Sequence, residues 1–227
     1  MLDGLLGEFL SPDPLSEKYP DFTPYANCAS NPLSFIDPTG RDIWRIDDRG
    51  YIKEHEETTE EDKFIMVTGQ NEVMTDTEGN ELSITFPYGT VISQTSHTEP
   101  AEYDVYIIRG DDNGSRLFEF LSDNISGSLS QVEVGLTRTG YPGDRGRNYI
   151  TTGHERGSEP GISYLYMTEL YNRYSIREII HSHPVSDYSG KSDNEFKKQV
   201  KKNQAENKLL PPKFMIYHVP KRNYFEF

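Results

Sequence analysis

Proline recurs at positions 12, 14, 20, 24, 32 and 38 of the chain, usually beside Asp, Ser or Asn. A proline lacks the amide hydrogen a helix needs and restricts the residue before it, so residues 1–41 cannot form a long helix. Such spacing allows only short extended pieces between turns. The stretch also holds too few apolar residues to build a core. A packed domain must therefore be assembled from residue 42 onward, and residues 1–41 read as an irregular linker or the edge of something larger.

Residues 42–100 read as β-rich and strongly acidic. "IWRIDDRGYIKEHEE" alternates around Asp48-Arg49-Gly50, a hairpin signal, and "KFIMVTG" and "ELSITFPYGTVI" are further strands. The acid run "HEETTEED" reads as a solvated loop. This region is either a spacer or a subdomain packed on the C-terminal half of the chain.

From residue 101 strand and helix signals alternate. "YDVYIIRG", "QVEVGLTRTG", "NYITT" and "SIREIIHSHP" read as strands, the last ended by Pro184. "GSRLFEFLSDN" has Leu117, Phe118, Phe120 and Leu121 at helical spacing, with Ser115 as cap. "SYLYMTELYNRY" is a second helix whose buried side would hold Leu165, Met167, Leu170 and Tyr171. "DNEFKKQVKKNQ" is a third, opened by the capping box Ser192-Asp193-Asn194-Glu195, and "KFMIYHVPKRNYFEF" closes as a hairpin. The class is α/β (α+β): a mixed sheet flanked by helices over 101–227.

Composition excludes several functions. The net charge of -14 repels phosphate backbones, which argues against a nucleic-acid partner. No apolar run approaches the roughly 20 residues of a membrane span. The first residues lack the basic-then-apolar order of a secretory signal, so export would use another route or a larger parent chain. A single cysteine, Cys28, leaves no internal disulfide and no cysteine-based zinc site. A bound metal must be held by nitrogen and oxygen.

"EIIHSHPVSDYSGKSDNEF" supplies both. On a strand His181 and His183 point to one side and Ser182 to the other, so two imidazoles can share a cation. Asp193, at the start of the third helix, can swing back as an anionic ligand. Two histidines and a carboxylate leave a fourth position for water, the layout of a hydrolytic Zn2+ site. The plainer alternatives are a chance His-x-His and an aspartate favoured by the helix dipole. With Ser192 committed to the cap, Ser189 is the serine left to face a substrate oxygen. His154 reads as a surface residue, and His55, His97 and His218 have no second ligand at useful spacing.

The chain carries two family resemblances. "DPLSEKYPDFTPYANCASNPLSFIDPTG" resembles the end of the RHS-repeat core of bacterial polymorphic toxins, through Asp13-Pro14, Tyr19-Pro20, Pro24-Tyr25, Asn31-Pro32 and Asp37-Pro38-Thr39-Gly40. In that family a variable toxin domain stands C-terminal to the core, and in some members two such aspartates cut the chain; Asp13 and Asp37 match them. "HSHPVSDYSGKSD" resembles the JAB/JAMM metalloprotease motif, His-x-His-x7-Ser-x2-Asp, whose members also occur as RHS toxin tips, the JAB-like toxins. The spacing from His183 to Asp193 is one residue shorter than the motif, and Gly190 stands where its serine would. The resemblance implies metal ligands His181, His183 and Asp193, an oxyanion contact from Ser189, and a proton-transferring glutamate from an earlier strand. Chain order points to Glu133 in "EVGL", against the usual Glu-x-x-Gly-Leu, ahead of Glu119, Glu155, Glu169 and Glu178.

The combined expectation is an RHS-core end (1–41), a β-rich linker or subdomain (42–100) and a JAB/JAMM-like toxin domain (101–227). Its activity would be zinc-dependent peptidase or isopeptidase chemistry on a target protein or peptide. It would act as a delivered bacterial effector in a target cell, with a cognate immunity protein and the parent RHS core as partners. The competing readings are a non-catalytic JAB-like module that binds a target protein, and a nuclease, against which the charge speaks.

Overall fold

The computed structural model describes residues 2–3, 8–9, 41–58, 61–171 and 175–227. The chain divides into two units, 1–40 and 41–227. In the first, Leu2–Asp3 (β1) and Glu8–Phe9 (β2) pair antiparallel. The six prolines at positions 12–38, Cys28, Asp13 and Asp37 lie outside the described residues.

The second unit carries two sheets. The smaller is built from Arg41–Asp47 (β3), Ile52–Thr58 (β4), Asp62–Val67 (β5) and Ser83–Phe86 (β6), in the order β4-β3-β5-β6. The larger has seven strands: Val91–His97 (β7), Tyr103–Arg109 (β8), Val132–Gly140 (β9), Gly146–Arg156 (β10), Ile176–His183 (β11), Lys213–His218 (β12) and Asn223–Glu226 (β13). Their order is β13-β12-β11-β9-β10-β8-β7. Only β11 and β12 run parallel; the other neighbours are antiparallel. The crossover between β11 and β12 is the helix Lys191–Glu206, as a parallel pair requires.

Both faces of the larger sheet are buried, and the two-residue period of the strands sorts side chains between them. On one face Tyr106, Ile108, Val132, Val134, Leu136 and Ile180 pack against the helix Asp111–Leu121 (α1) and against Trp44, Phe64 and Phe86 of the smaller sheet. On the other, Val105, Ile107, Tyr149 and Ile179 meet Ile162, Leu165 and Leu170, with Val200 from the helix Lys191–Glu206 (α3). Each large apolar side chain removed from water contributes about 1.5–3 kcal/mol. The core containing Trp44 and Phe64 thus joins residues before and after position 100, and β7 is itself a strand of the larger sheet.

Local expectations fail in the first two helices. Ser115 does not cap α1, which begins four residues earlier after Gly110; its hydroxyl bonds back to the Asp111 carbonyl at 3.0 Å. The second helix is a six-residue α-turn, Pro160–Leu165 (α2), continuing as a π-turn, Tyr166–Leu170. The wider i→i+5 winding rotates its faces, so Tyr166 is buried while Met167 and Tyr171 are 51% and 44% exposed.

The β3–β4 turn is clamped onto the larger sheet through three successive carbonyls. Asp48 O accepts from Ser130 Oγ, Arg49 O faces His154 Nδ1 at 3.1 Å, and Gly50 O accepts from Thr152 Oγ1 at 3.5 Å. His154, expected at the surface, is buried. It sits in a left-handed backbone conformation (φ 56°) where β10 slips register between Thr152 and Arg156. Its ring stacks on Tyr51 at 4.0 Å, and its Nε2 lies 3.4 Å from Asp104 Oδ2. Both ring nitrogens thus face oxygen acceptors, so only the imidazolium donates to both.

Burial pulls the His154 pKa down. The hydrogen bonds that the ring donates to Asp104 and the Arg49 carbonyl, with the charges of Asp104 and Glu102, outweigh it, and the net shift is upward. A raised folded pKa gives stability that is complete below the unfolded value of about 6.5 and lost as pH rises through the folded value. Thermal melts from pH 5.5 to 9 are expected to show wild type losing its advantage over His154→Asn across that window. The advantage at low pH should be about 1–3 kcal/mol, the cost of leaving buried partners unmet. Parallel curves at every pH would refute the imidazolium clamp.

Candidate metal centre

The C-terminal end of β11 carries the site. Main-chain pairing of β11 with β9 reaches His181 opposite Gly135 and stops there. Beyond it Val134 N donates to the Ser182 hydroxyl at 2.8 Å instead of to a carbonyl. Ser182 in turn bonds Ser126 Oγ, and Ser126 donates to the Val132 carbonyl. Ser182 therefore faces away from the histidines, as strand alternation requires. On the opposite face, Glu133 on β9 meets His181 and His183 on β11.

The two imidazoles point their Nε2 atoms at each other across 2.8 Å. Asp193 Oδ2 lies 3.7 Å from His181 Nε2 and 3.8 Å from His183 Nε2. Ligands about 2.0–2.1 Å from a tetrahedral zinc stand about 3.3 Å from one another. The three donors thus approximate one face of such a tetrahedron, reached by parting the imidazoles and drawing Asp193 inward, each by about half an ångström. A carboxylate oxygen of Glu133 lies within 4.8 Å of both imidazoles, completing a Glu133–His181–His183 cluster that fits a metal site.

The two carboxyls are held in opposite states. Burial alone would raise Asp193, but hydrogen bonding and attraction from His181, with the Gly190 N–H, bring it down to about 2. Glu133 goes the other way: burial first, then the charges of Asp193 and Glu159, raise it to about 8. Burial and the neighbouring His181 lower His183 to about 4, so its ring is neutral and open to a cation at pH 7.

Asp193 also closes the helix. α3 begins at Lys191 after Gly190, whose N–H donates to Asp193 Oδ2 at 2.6 Å. The expected Ser192–Glu195 capping box is not formed: Ser192 lies inside the first turn and lines the pocket beside His181 and Asp193. Ser189 lies outside the lining of that pocket, and its Oγ accepts from Asn194 Nδ2 at 2.9 Å. The other glutamates weighed beside Glu133 are engaged elsewhere where contacts define them: Glu119 with Tyr224 and Glu178 with Arg138.

Glu159 was not singled out from the sequence. It precedes Pro160 at the start of α2, and its Oε2 accepts from Gly161 N at 2.8 Å. Burial raises it to about 7. An acidic residue immediately before a proline is a helix-start signal that could have drawn attention to it. With Glu133 and His181 it lines a cleft walled by Ile162, Phe196 and Phe214. A second hollow on the other side of Glu133 is bordered by Arg156, His183 and Val185.

This geometry coincides with a family match. Residues 106–207 match the family model described as JAB-like toxin 1. The match spans Glu133, His181, His183 and Asp193, and it supports a JAB-like toxin domain with the mixed α+β fold described above. No curated protein and no solved structure matches the chain. The JAB-like region thus runs from β8 through α3, while the smaller sheet packed against it lies outside the match.

Gly135 sets how closely α2 approaches the site. A Cβ there would lie 2.4 Å from Ile162 Cγ1 and 2.5 Å from Thr151 Oγ1. Gly135→Ala is expected to destabilise the chain by about 1–3 kcal/mol through overpacking. Denaturant unfolding measures this, and an unchanged midpoint would show that α2 yields freely.

Proposed function

We propose that the JAB-like domain is a zinc-dependent peptidase or isopeptidase, the toxin part of a delivered bacterial effector. The single observation that supports this reading most is the triangle of His181 Nε2, His183 Nε2 and Asp193 Oδ2 with a second, oppositely tuned carboxyl beside it. His181, His183 and Asp193 would hold the zinc. Asp193, the carboxyl kept ionised, suits a ligand; Glu133, with its pKa of about 8, suits proton transfer near neutral pH. The chemistry that a zinc ion would supply there is Lewis acidity toward the scissile carbonyl and water.

Glu133 would take the proton from the attacking water and return it to the leaving amine. Its half-buried carboxyl makes that exchange favourable, because a buried carboxylate regains stability by protonation. Ser192, which lines the cleft, is better placed than Ser189 to hold the developing oxyanion. The apolar and aromatic walls would bind substrate side chains next to the scissile bond. The Pro- and Tyr-patterned segment 1–41, resembling an RHS-core end, supports delivery from a larger parent chain, and an immunity protein would then be its partner. Among the described residues no helix is long and apolar enough to cross a membrane.

The displaced Ser189 favours a second reading, a JAB-like module that binds a target protein without cleaving it. Zinc content and turnover on peptide and isopeptide substrates separate the two. The purified full chain is expected to hold about one zinc, lost in His181→Ala under matched chelator washing. Glu133→Gln should keep the metal while lowering turnover by about 10²–10⁴-fold. Ser192→Ala should cost about 10²-fold, and Ser189→Ala much less. Zinc binding without turnover would favour the binding module; no zinc and no thermal stabilisation by added zinc would refute the metal centre.

A further inference from the structure

His183 faces the centre with one ring nitrogen and its own chain with the other. Nε2 lies 2.8 Å from His181 Nε2, while Nδ1 lies 3.1 Å from the hydroxyl of Ser186, three residues on. A neutral imidazole that offers Nε2 to a cation must carry its hydrogen on Nδ1. Ser186 Oγ is then the acceptor of that hydrogen. Its own hydroxyl hydrogen points on to the Tyr188 carbonyl at 3.5 Å.

The segment that carries Ser186 is fastened on both sides of it. Val185 O faces His218 Nε2 at 3.2 Å, and Asp187 Oδ2 pairs with Lys221 Nζ at 2.6 Å. Both anchors belong to the end of β12 and the adjoining 3₁₀ turn Val219–Lys221. Val185 and Tyr188 are 70% and 72% exposed, so the segment is located by these polar bonds and not by apolar burial. His218 is the register partner of His183 on the parallel strand, which places the anchor directly beside the ligand.

We propose that Ser186 is the positioning residue of the metal centre. Its hydroxyl fixes the tautomer and ring plane of His183, and the strap Pro184–Gly190, tied down through His218 and Lys221, holds that hydroxyl in place. This rests on the metal-centre reading above. Partners of this kind orient a ligating histidine, and their loss weakens metal binding by about 10–100-fold.

The test uses the full chain as wild type, Ser186→Ala, Ser186→Thr and His183→Ala. Zinc affinity is read by competition with a chelator, metal-free melting temperature by calorimetry, and the His183 tautomer by ¹⁵N chemical shifts. Ser186→Ala should weaken zinc about 10–100-fold and, in the metal-free protein, lose the Nδ1–H signature, with its metal-free melting temperature close to wild type. Ser186→Thr, which keeps the hydroxyl, should restore both. Equal zinc affinity in wild type and Ser186→Ala, with binding lost in His183→Ala, would overturn the positioning role while leaving the metal centre intact. No zinc binding by wild type would overturn both.

Discussion

The hydroxyl of Ser182 does the work of a main-chain carbonyl at the point where β9 and β11 part. Val134 N donates to it, and Ser126 joins it from the end of the α1 segment. All three groups are buried, and an unmet amide there would cost about 1–3 kcal/mol. Because a side chain spans the gap, the strands can separate beyond Gly135 and His181 without stranding the backbone. That separation gives Glu133 and His183 room to face one another on the other side of the sheet. The serines on one face and the histidines on the other are one piece of architecture, set by the alternation of a single strand.

Burial then separates the chemistry of two carboxyls that share one site. Both are partly desolvated, yet Asp193 receives a backbone N–H and two imidazoles while Glu133 receives the repulsion of Asp193 and Glu159. Environment, and not residue type, divides ligand from proton carrier. Asp193 is further constrained because the same oxygen caps the start of α3. The helix start and the cation site are therefore alternative descriptions of one group, and the shortened loop between His183 and Asp193 is accommodated by Gly190 as the residue that precedes the helix.

Much of this was legible from strand and helix periods. The alternation in "SIREIIHSHP" places His181 and His183 together, and the order of elements places Glu133 on the neighbouring strand. What failed depended on long-range partners. Ser192 has the pattern of a capping box, but the aspartate beside it reaches Gly190 first. Met167 and Tyr171 fit a regular helix, and the π-turn that exposes them has no local signature. His154 sits among polar residues and reads as surface; its burial comes from Tyr51 and Asp104, about 100 and 50 residues earlier in the chain. The reading of His218 as a residue without a second ligand is not overturned; its position beside His183 comes from the parallel pairing of β11 and β12.

The clamp on the β3–β4 turn also has a kinetic consequence. The carbonyls of Asp48, Arg49 and Gly50 find their partners 82, 105 and 102 residues further on. Closing a loop of that length precedes any return from the contacts it makes, and its entropy grows with the logarithm of length. The sheet adds its own delay, since the centre-bearing β11 lies between strands that arrive before and after it in the chain. Folding of this unit is thus governed by distant pairings of the kind that make β-rich topologies slow. A chain regaining this fold from an extended state would have to bring the β3–β4 turn back, across about 100 residues, to the sheet that carries its His-lined centre.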